Sequence, residues 1–280
     1  MTLVVWMIAL VQLYGPAEAA GAIEMTADVV YREIDGEQLA LDLFYPSPRG
    51  ESMAAVVFIH GGAWALNNRR DYHDFARGFA RSGVVGVTPD YRGQPPDGFR
   101  GMTDDIKAAV RWLRSNAADL DIDPDRIGIF GSSSGGHLAG LVSMADDSEW
   151  IGVADRDVSS DVQAAFLLFG IYDLTTSPLV KLVQAIDPGP PFGIPVANLP
   201  LFSPTHYVSG GEPRTYMMHG TDDLLVPLTE ARGLRDALAA SGVPVTLQEV
   251  KGKGHGFIKT NPWLRPLIYW SVRDFFLNAL

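Results

Sequence analysis

Gly131-Ser132-Ser133-Ser134-Gly135 is a G-x-S-x-G run, the pattern that sets a serine on a sharp strand-to-helix turn. A short apolar segment, Arg126 to Phe130, precedes it, and Ser134 to Met144 follows as a predicted helix. The flanking glycines let strand and helix approach closely, so the hydroxyl projects above the sheet. The helix N-terminus places a positive dipole end beside that oxygen. The chemistry this offers is nucleophilic attack on a carbonyl through a covalent intermediate. Ser133 is the centre of the pattern, with Ser132 and Ser134 as alternatives.

Such attack places negative charge on the former carbonyl oxygen, and losing one backbone donor aimed there typically costs ~3–4 kcal/mol. His60-Gly61-Gly62-Ala63-Trp64 directly follows an apolar run and supplies candidate donors. The amides of Gly62 and Ala63, with that of Ser134 after the nucleophile, are the expected oxyanion hole. The serine also needs a base. His255 lies in the glycine-rich stretch Lys251-Gly252-Lys253-Gly254-His255-Gly256-Phe257 after a predicted strand, a loop able to present an imidazole. His137 reads as a packing or hydrogen-bonding residue, His60 as a brace for the oxyanion loop, and His219 as support for the turn after it. His73 and His206 read as surface residues. That turn, His219-Gly220-Thr221-Asp222-Asp223, holds two candidates for the acid that orients the imidazole, Asp222 and Asp223.

The elements that must position these groups alternate along the chain. Val29 to Ile34 and Leu39 to Phe44 read as a hairpin around Asp35-Gly36-Glu37. Ala54 to Ile59 is a continuous apolar run, as in a strand buried on both faces. Beyond it the pattern predicts a helix over Asp74 to Arg81, a strand over Val84 to Thr88 and a helix with Thr103 as N-cap and Asp104 and Asp105 in its first turn. Ala164 to Phe169, Thr215 to Met218 and Val245 to Val250 read as strands, Leu228 to Ala240 and part of Pro262 to Leu280 as helices. The Pro-rich stretch 175–207 reads as a small cap-like insertion. The whole implies one α/β domain with a mostly parallel sheet covered by helices on both faces.

Composition narrows the class. The chain has 280 residues, no cysteine and a formal net charge of −11, which removes thiol chemistry and opposes binding to nucleic acid. No metal-ligand spacing, Walker lysine pattern or G-x-G-x-x-G run occurs. Leu3 to Leu13 is apolar and is followed by Ala17-Glu18-Ala19, as in a signal peptide, although no Lys or Arg precedes Arg32. The stretch is too short for a stable membrane span. The expectation is a secreted or periplasmic protein. The alternative is a cytoplasmic protein with an N-terminal helix packed on the domain or lying over the mouth of its site.

The motifs His60 to Trp64, Asp90-Tyr91-Arg92, Asp123 to Ile127, Gly131 to Leu138 and the Asp223 and His255 loops occur in one order. Together they resemble the α/β-hydrolase carboxylesterases of the hormone-sensitive-lipase-like and bacterial feruloyl-esterase-like branches. The resemblance spans Val29 to Leu280, and Gly131 to Leu138 is most similar to the feruloyl-esterase-like branch. It implies an H-G-x-x-D-x-x-V-P turn, which selects Asp223, and a catalytic triad of Ser133, Asp223 and His255. It further implies hydrolysis of small-molecule esters with no cofactor and does not fix the acyl group or the alcohol; the small cap-like insertion favours short or aromatic acyl groups over long-chain fat, with carbohydrate esters included if the chain is secreted. Trp64, Tyr172 and Phe257 are the expected lining of the substrate pocket. An arylformamidase-type amide hydrolase on the same triad and a non-catalytic binding protein are the rival readings.

Overall fold

Side chains of Met53–Ile59 (β3) alternate between two apolar environments, so every residue of the strand is buried. Ala55, Val57 and Ile59 belong to one hydrophobic core, and Ala54, Val56 and Phe58 to a second. A strand with two buried faces has no polar positions, hence the unbroken apolar run. The division continues across the sheet: Ile129 and Leu167 join the first core, Phe130, Phe166 and Met218 the second. Phe130 lies 4.9 Å from the Tyr72 ring and 5.6 Å from that of Phe58, centroid to centroid.

The computed structural model describes residues 21–66, 68–93, 98–148, 150, 157–186 and 189–280. The signal peptide or N-terminal helix expected over residues 1–20 lies outside them. The remaining described strands are β1 (Ala22–Ile34), β2 (Glu37–Ser47), β4 (Val85–Pro89), β5 (Ile122–Ser132), β6 (Ala164–Leu168), β7 (Arg214–Gly220) and β8 (Val245–Val250). They form one sheet in the order β1-β2-β4-β3-β5-β6-β7-β8. β1 pairs antiparallel with β2, and β2 antiparallel with β4; every later pair is parallel. β8 closes one edge, and its residues are half-buried or exposed.

Helices cover both faces. The longer ones are α1 (His73–Arg81), α2 (Gly98–Ser115), α3 (Ser134–Met144), α4 (Pro178–Ile186), α5 (Thr229–Ala240) and α6 (Arg265–Ala279). α1 and α6 bury Phe75, Phe79, Val272 and Phe276 in the second core; α2, α3 and α5 bury Ile106, Leu141 and Leu234 in the first. This is the α/β-hydrolase arrangement. No described helix is long and apolar enough to cross a membrane. Within the stretch 175–207 lie α4 and the 3-10 segments Pro191–Gly193, Val196–Phe202 and Pro204–Tyr207. Val180, Leu199 and Phe202 fasten it to the first core.

Two sequence expectations fail here. Thr103 is not an N-cap: α2 begins at Gly98, and Thr103 is buried inside it. Phe99 and Met102 carry the apolar face backward, and burial of that face decides where the helix starts. Asp104 and Asp105 have partners of their own. Asp104 accepts from the Trp150 indole at 2.6 Å, and Asp105 from Arg32 at 2.7 Å and Arg92 at 2.8 Å. His73 is not a surface residue. It is buried, with Nε2 at 2.9 Å from Asp42 Oδ2.

Lys107 of α2 is also buried, which lowers its pKa. Its Nζ donates to the Ala145 carbonyl at 2.6 Å and Ser160 Oγ at 3.1 Å and stands 3.2 Å from Asp147 Oδ1.

Candidate active site

All the chemistry-bearing loops leave the carboxyl ends of neighbouring parallel strands, where open α/β sheets place their sites. Ser133 follows β5 and begins the turn into α3, with φ 54° and ψ −124°. Such a backbone typically stores about 1–3 kcal/mol of strain in a residue with a Cβ. Its surroundings hold it there. The Ser133 amide donates to the Leu168 carbonyl at 2.9 Å, and its carbonyl accepts from His137 N–H at 3.0 Å. The two flanking serines are differently employed. Ser132 Oγ accepts from the Tyr72 hydroxyl at 2.6 Å, whereas Ser134 Oγ is buried with no partner among the described residues.

The loop after β3 runs directly beside this turn. A Cβ added at Gly61 would stand 3.2 Å from Ser133 Cβ. Gly62, Ala63 and Trp64 all have positive φ, at 144°, 51° and 59°. The Gly62 carbonyl accepts from the amides of Ala65 at 3.0 Å and Leu66 at 2.9 Å, closing the loop on itself. The amides of Gly62, Ala63 and Ser134 meet no backbone acceptor among the described residues. For Ser134 this follows from its place in the first turn of α3. His60 stacks on Tyr91 at 4.3 Å, and the Tyr91 hydroxyl donates to the His60 carbonyl at 2.8 Å, bracing the start of the loop.

Ser133 Oγ lies 2.9 Å from His255 Nε2, and His255 Nδ1 lies 2.8 Å from Asp223 Oδ2. With a carboxylate as its partner, Nδ1 carries the proton, and Nε2 is left to accept from the serine. Asp222 takes no part; it is exposed and accepts from the Thr221 hydroxyl at 2.8 Å. The acid turn and the histidine loop are laced together by Asp222 N–H to the Lys253 carbonyl at 3.0 Å and Thr221 N–H to that of Val250 at 3.1 Å.

Asp223 is buried, and its Oδ1 accepts from the amides of Leu225 at 3.0 Å and Val226 at 2.8 Å. His219 Nε2 donates to the Val226 carbonyl at 2.7 Å and stands 3.4 Å from Asp223 Oδ2. Burial pushes the Asp223 carboxyl up, but His219, His255 and the Val226 amide outweigh it and hold the group well below the usual carboxylate range. The acid is therefore ionised, as an imidazolium-stabilising partner must be.

Trp64, Tyr172 and Phe257, the expected pocket lining, are all buried. Trp64 packs 4.9 Å from Phe99 and 5.2 Å from Phe192, and the Tyr172 hydroxyl accepts from Gly170 N–H at 3.1 Å. Phe257 packs 5.1 Å from Phe169. Rings this large gain more by filling the core than by facing water. The sequence reading overlooked Phe169, whose ring meets that of His255 edge to face at 5.0 Å. One more apolar residue at the end of an apolar strand carries no signal that separates it from core.

The BD-FAE family model matches residues 41–238. The chain belongs to the BD-FAE family. Among curated relatives of this BD-FAE protein, the probable carboxylic ester hydrolase LipM of Mycobacterium tuberculosis is 31% identical, covering 73% of this chain and 49% of LipM. Esterase LipQ of the same organism is 28% identical, covering 89% of this chain and 61% of LipQ. The BD-FAE protein thus spans about half to three-fifths of these relatives' lengths. Among solved structures it is similar to the esterase Est2 of Thermogutta terrifontis, at 27% identity and TM-score 0.77, over 94% of each chain. Est2 has also been solved with propionate and with butyrate bound.

Proposed function

We propose that this BD-FAE protein hydrolyses carboxylic esters through an acyl-enzyme on Ser133. The observation that carries this reading is the unbroken relay from Ser133 Oγ to His255 at 2.9 Å and from His255 to Asp223 at 2.8 Å. Ser133 Oγ attacks the ester carbonyl while His255 Nε2 takes its proton, and ionised Asp223 stabilises the imidazolium. The amides of Gly62, Ala63 and Ser134 donate to the developing oxyanion. As the tetrahedral intermediate collapses, His255 returns the proton to the leaving alcohol. Water, deprotonated by the same imidazole, then attacks the acyl-enzyme, and Ser133 leaves with a proton from His255.

Short acyl groups are the favoured substrates, with aromatic acyl and carbohydrate esters as extensions. The esterase names of LipM and LipQ and the propionate and butyrate held by Est2 support that class. The test is a panel of p-nitrophenyl acetate, butyrate and octanoate, feruloyl and acetyl sugars, and N-formylkynurenine for the amide rival. Ser133→Ala serves as control. Turnover highest on acetate or butyrate, with at least about a 10⁴-fold loss in the control, is the expected result. Full turnover by Ser133→Ala removes the nucleophile assignment, and faster cleavage of the formamide replaces ester with amide chemistry.

A further inference from the structure

His137 lies fully buried on α3, one turn beyond Ser133, and meets two different segments. Its Nδ1 accepts from the Trp64 indole N–H at 3.1 Å. Its Nε2 donates to the Phe202 carbonyl at 2.8 Å. We propose that His137 is a positioning residue for the oxyanion loop, clamping Trp64 to the nucleophile's helix and to the 196–202 segment. The inference rests on the ester-hydrolase reading above.

The loop needs such an anchor. Ala63 and Trp64 carry side chains at positive φ, so local preference opposes the conformation that aims the Gly62 and Ala63 amides. Among the described residues, the loop's own backbone hydrogen bonds end on the Gly62 carbonyl and hold it to itself. The indole reaches outward, and its N–H is a donor with no acceptor capacity. The Phe202 carbonyl can only accept. A neutral imidazole has one acceptor and one donor on a rigid ring and satisfies both at once. Burial lowers the His137 pKa to about 4, which keeps that acceptor bare at neutral pH. Edge-on contacts with Trp64 at 5.5 Å and Phe99 at 5.0 Å fix the ring plane.

Loosening the clamp displaces amides that act on the transition state and leaves ground-state binding unchanged, so kcat falls and KM does not. The experiment compares His137→Leu, His137→Gln, Trp64→Phe and the His137→Leu/Trp64→Phe pair on the best ester of the wild type, with melting curves recorded alongside. His137→Leu and Trp64→Phe are each expected to lower kcat by about tenfold or more, with KM within about threefold, short of the full loss of an oxyanion donor. The pH profile of kcat/KM keeps its shape. His137→Gln can still accept and donate and recovers most of the loss. The double variant falls no further than the less active single one, because Trp64→Phe removes only a connection that His137→Leu has already broken.

Folded His137→Leu with wild-type kcat, or a loss confined to KM, overturns the proposal. Should His137→Leu fail to fold, folded Trp64→Phe decides, since it keeps an aromatic ring at the site and removes the indole donor. A wild type inactive on every ester sinks the underlying function. An active wild type with an unaffected Trp64→Phe sinks this inference only.

Discussion

Gly135 lies backbone against backbone with His60: a Cβ added to the glycine would stand 2.4 Å from the His60 carbonyl oxygen. The Ile59 carbonyl oxygen is equally close. The end of β3 and the start of α3 are therefore held nearer than any side chain permits, and this contact sets the spacing between the loop amides and Ser133. Gly135→Ala forces them apart. Its stability is expected to fall by about 1–3 kcal/mol, as in other overpacked sites. Denaturant titration measures that, and steady-state kinetics should show kcat reduced by about tenfold or more.

Asp223 links activity to acid stability. Its folded-state pKa lies below the ordinary 3.8, so ionised Asp223 contributes stability that is fully present above about pH 4. That contribution disappears as the pH falls through the lower folded value. The stability gap between wild type and Asp223→Asn is thus expected to be widest near neutrality and to narrow steadily below about pH 4. Urea titrations across pH 2–7 check it. At neutral pH the same variant should lose about 10⁴-fold in kcat, because an amide no longer enforces the Nδ1–H tautomer.

Lys107 gives a stability defect remote from the chemistry. Lys107→Met removes the cation but leaves the Ala145 carbonyl without its 2.6 Å donor and Asp147 with Arg111 as its remaining cation. Breaking a buried pair on one side typically costs about 3–5 kcal/mol. Calorimetry should register a loss near the lower end, since Arg111 remains. Kinetics measured well below the melting transition should keep the wild-type KM and kcat.

Ser133 and His255 stood out as candidates because nucleophilic chemistry demands residue types at short, fixed spacings: a serine between glycines and an imidazole in a glycine loop. Asp223 could be separated from Asp222 only through the family resemblance, because both stand in the same turn. What the sequence concealed depends on distant burial. The start of α2 is set by Phe99 and Met102 packing on a core assembled from other segments, and the burial of His73 follows from Asp42, a residue 31 positions away. The burial of Trp64 and Tyr172 was not legible, because an aromatic near such a loop has the same local pattern whether it faces substrate or core.

β8 is an edge strand, and the segment that bears His255 hangs from its far end. The proposed proton acceptor is thus suspended from a hem of the sheet, while Ser133 follows an interior strand. Peripheral strands fray at lower free energy than interior ones. On the proposed mechanism, warming is therefore expected to remove activity before the fold melts, with the early loss reversing on cooling for as long as the inner strands stay closed, as activity and melting curves recorded together would show.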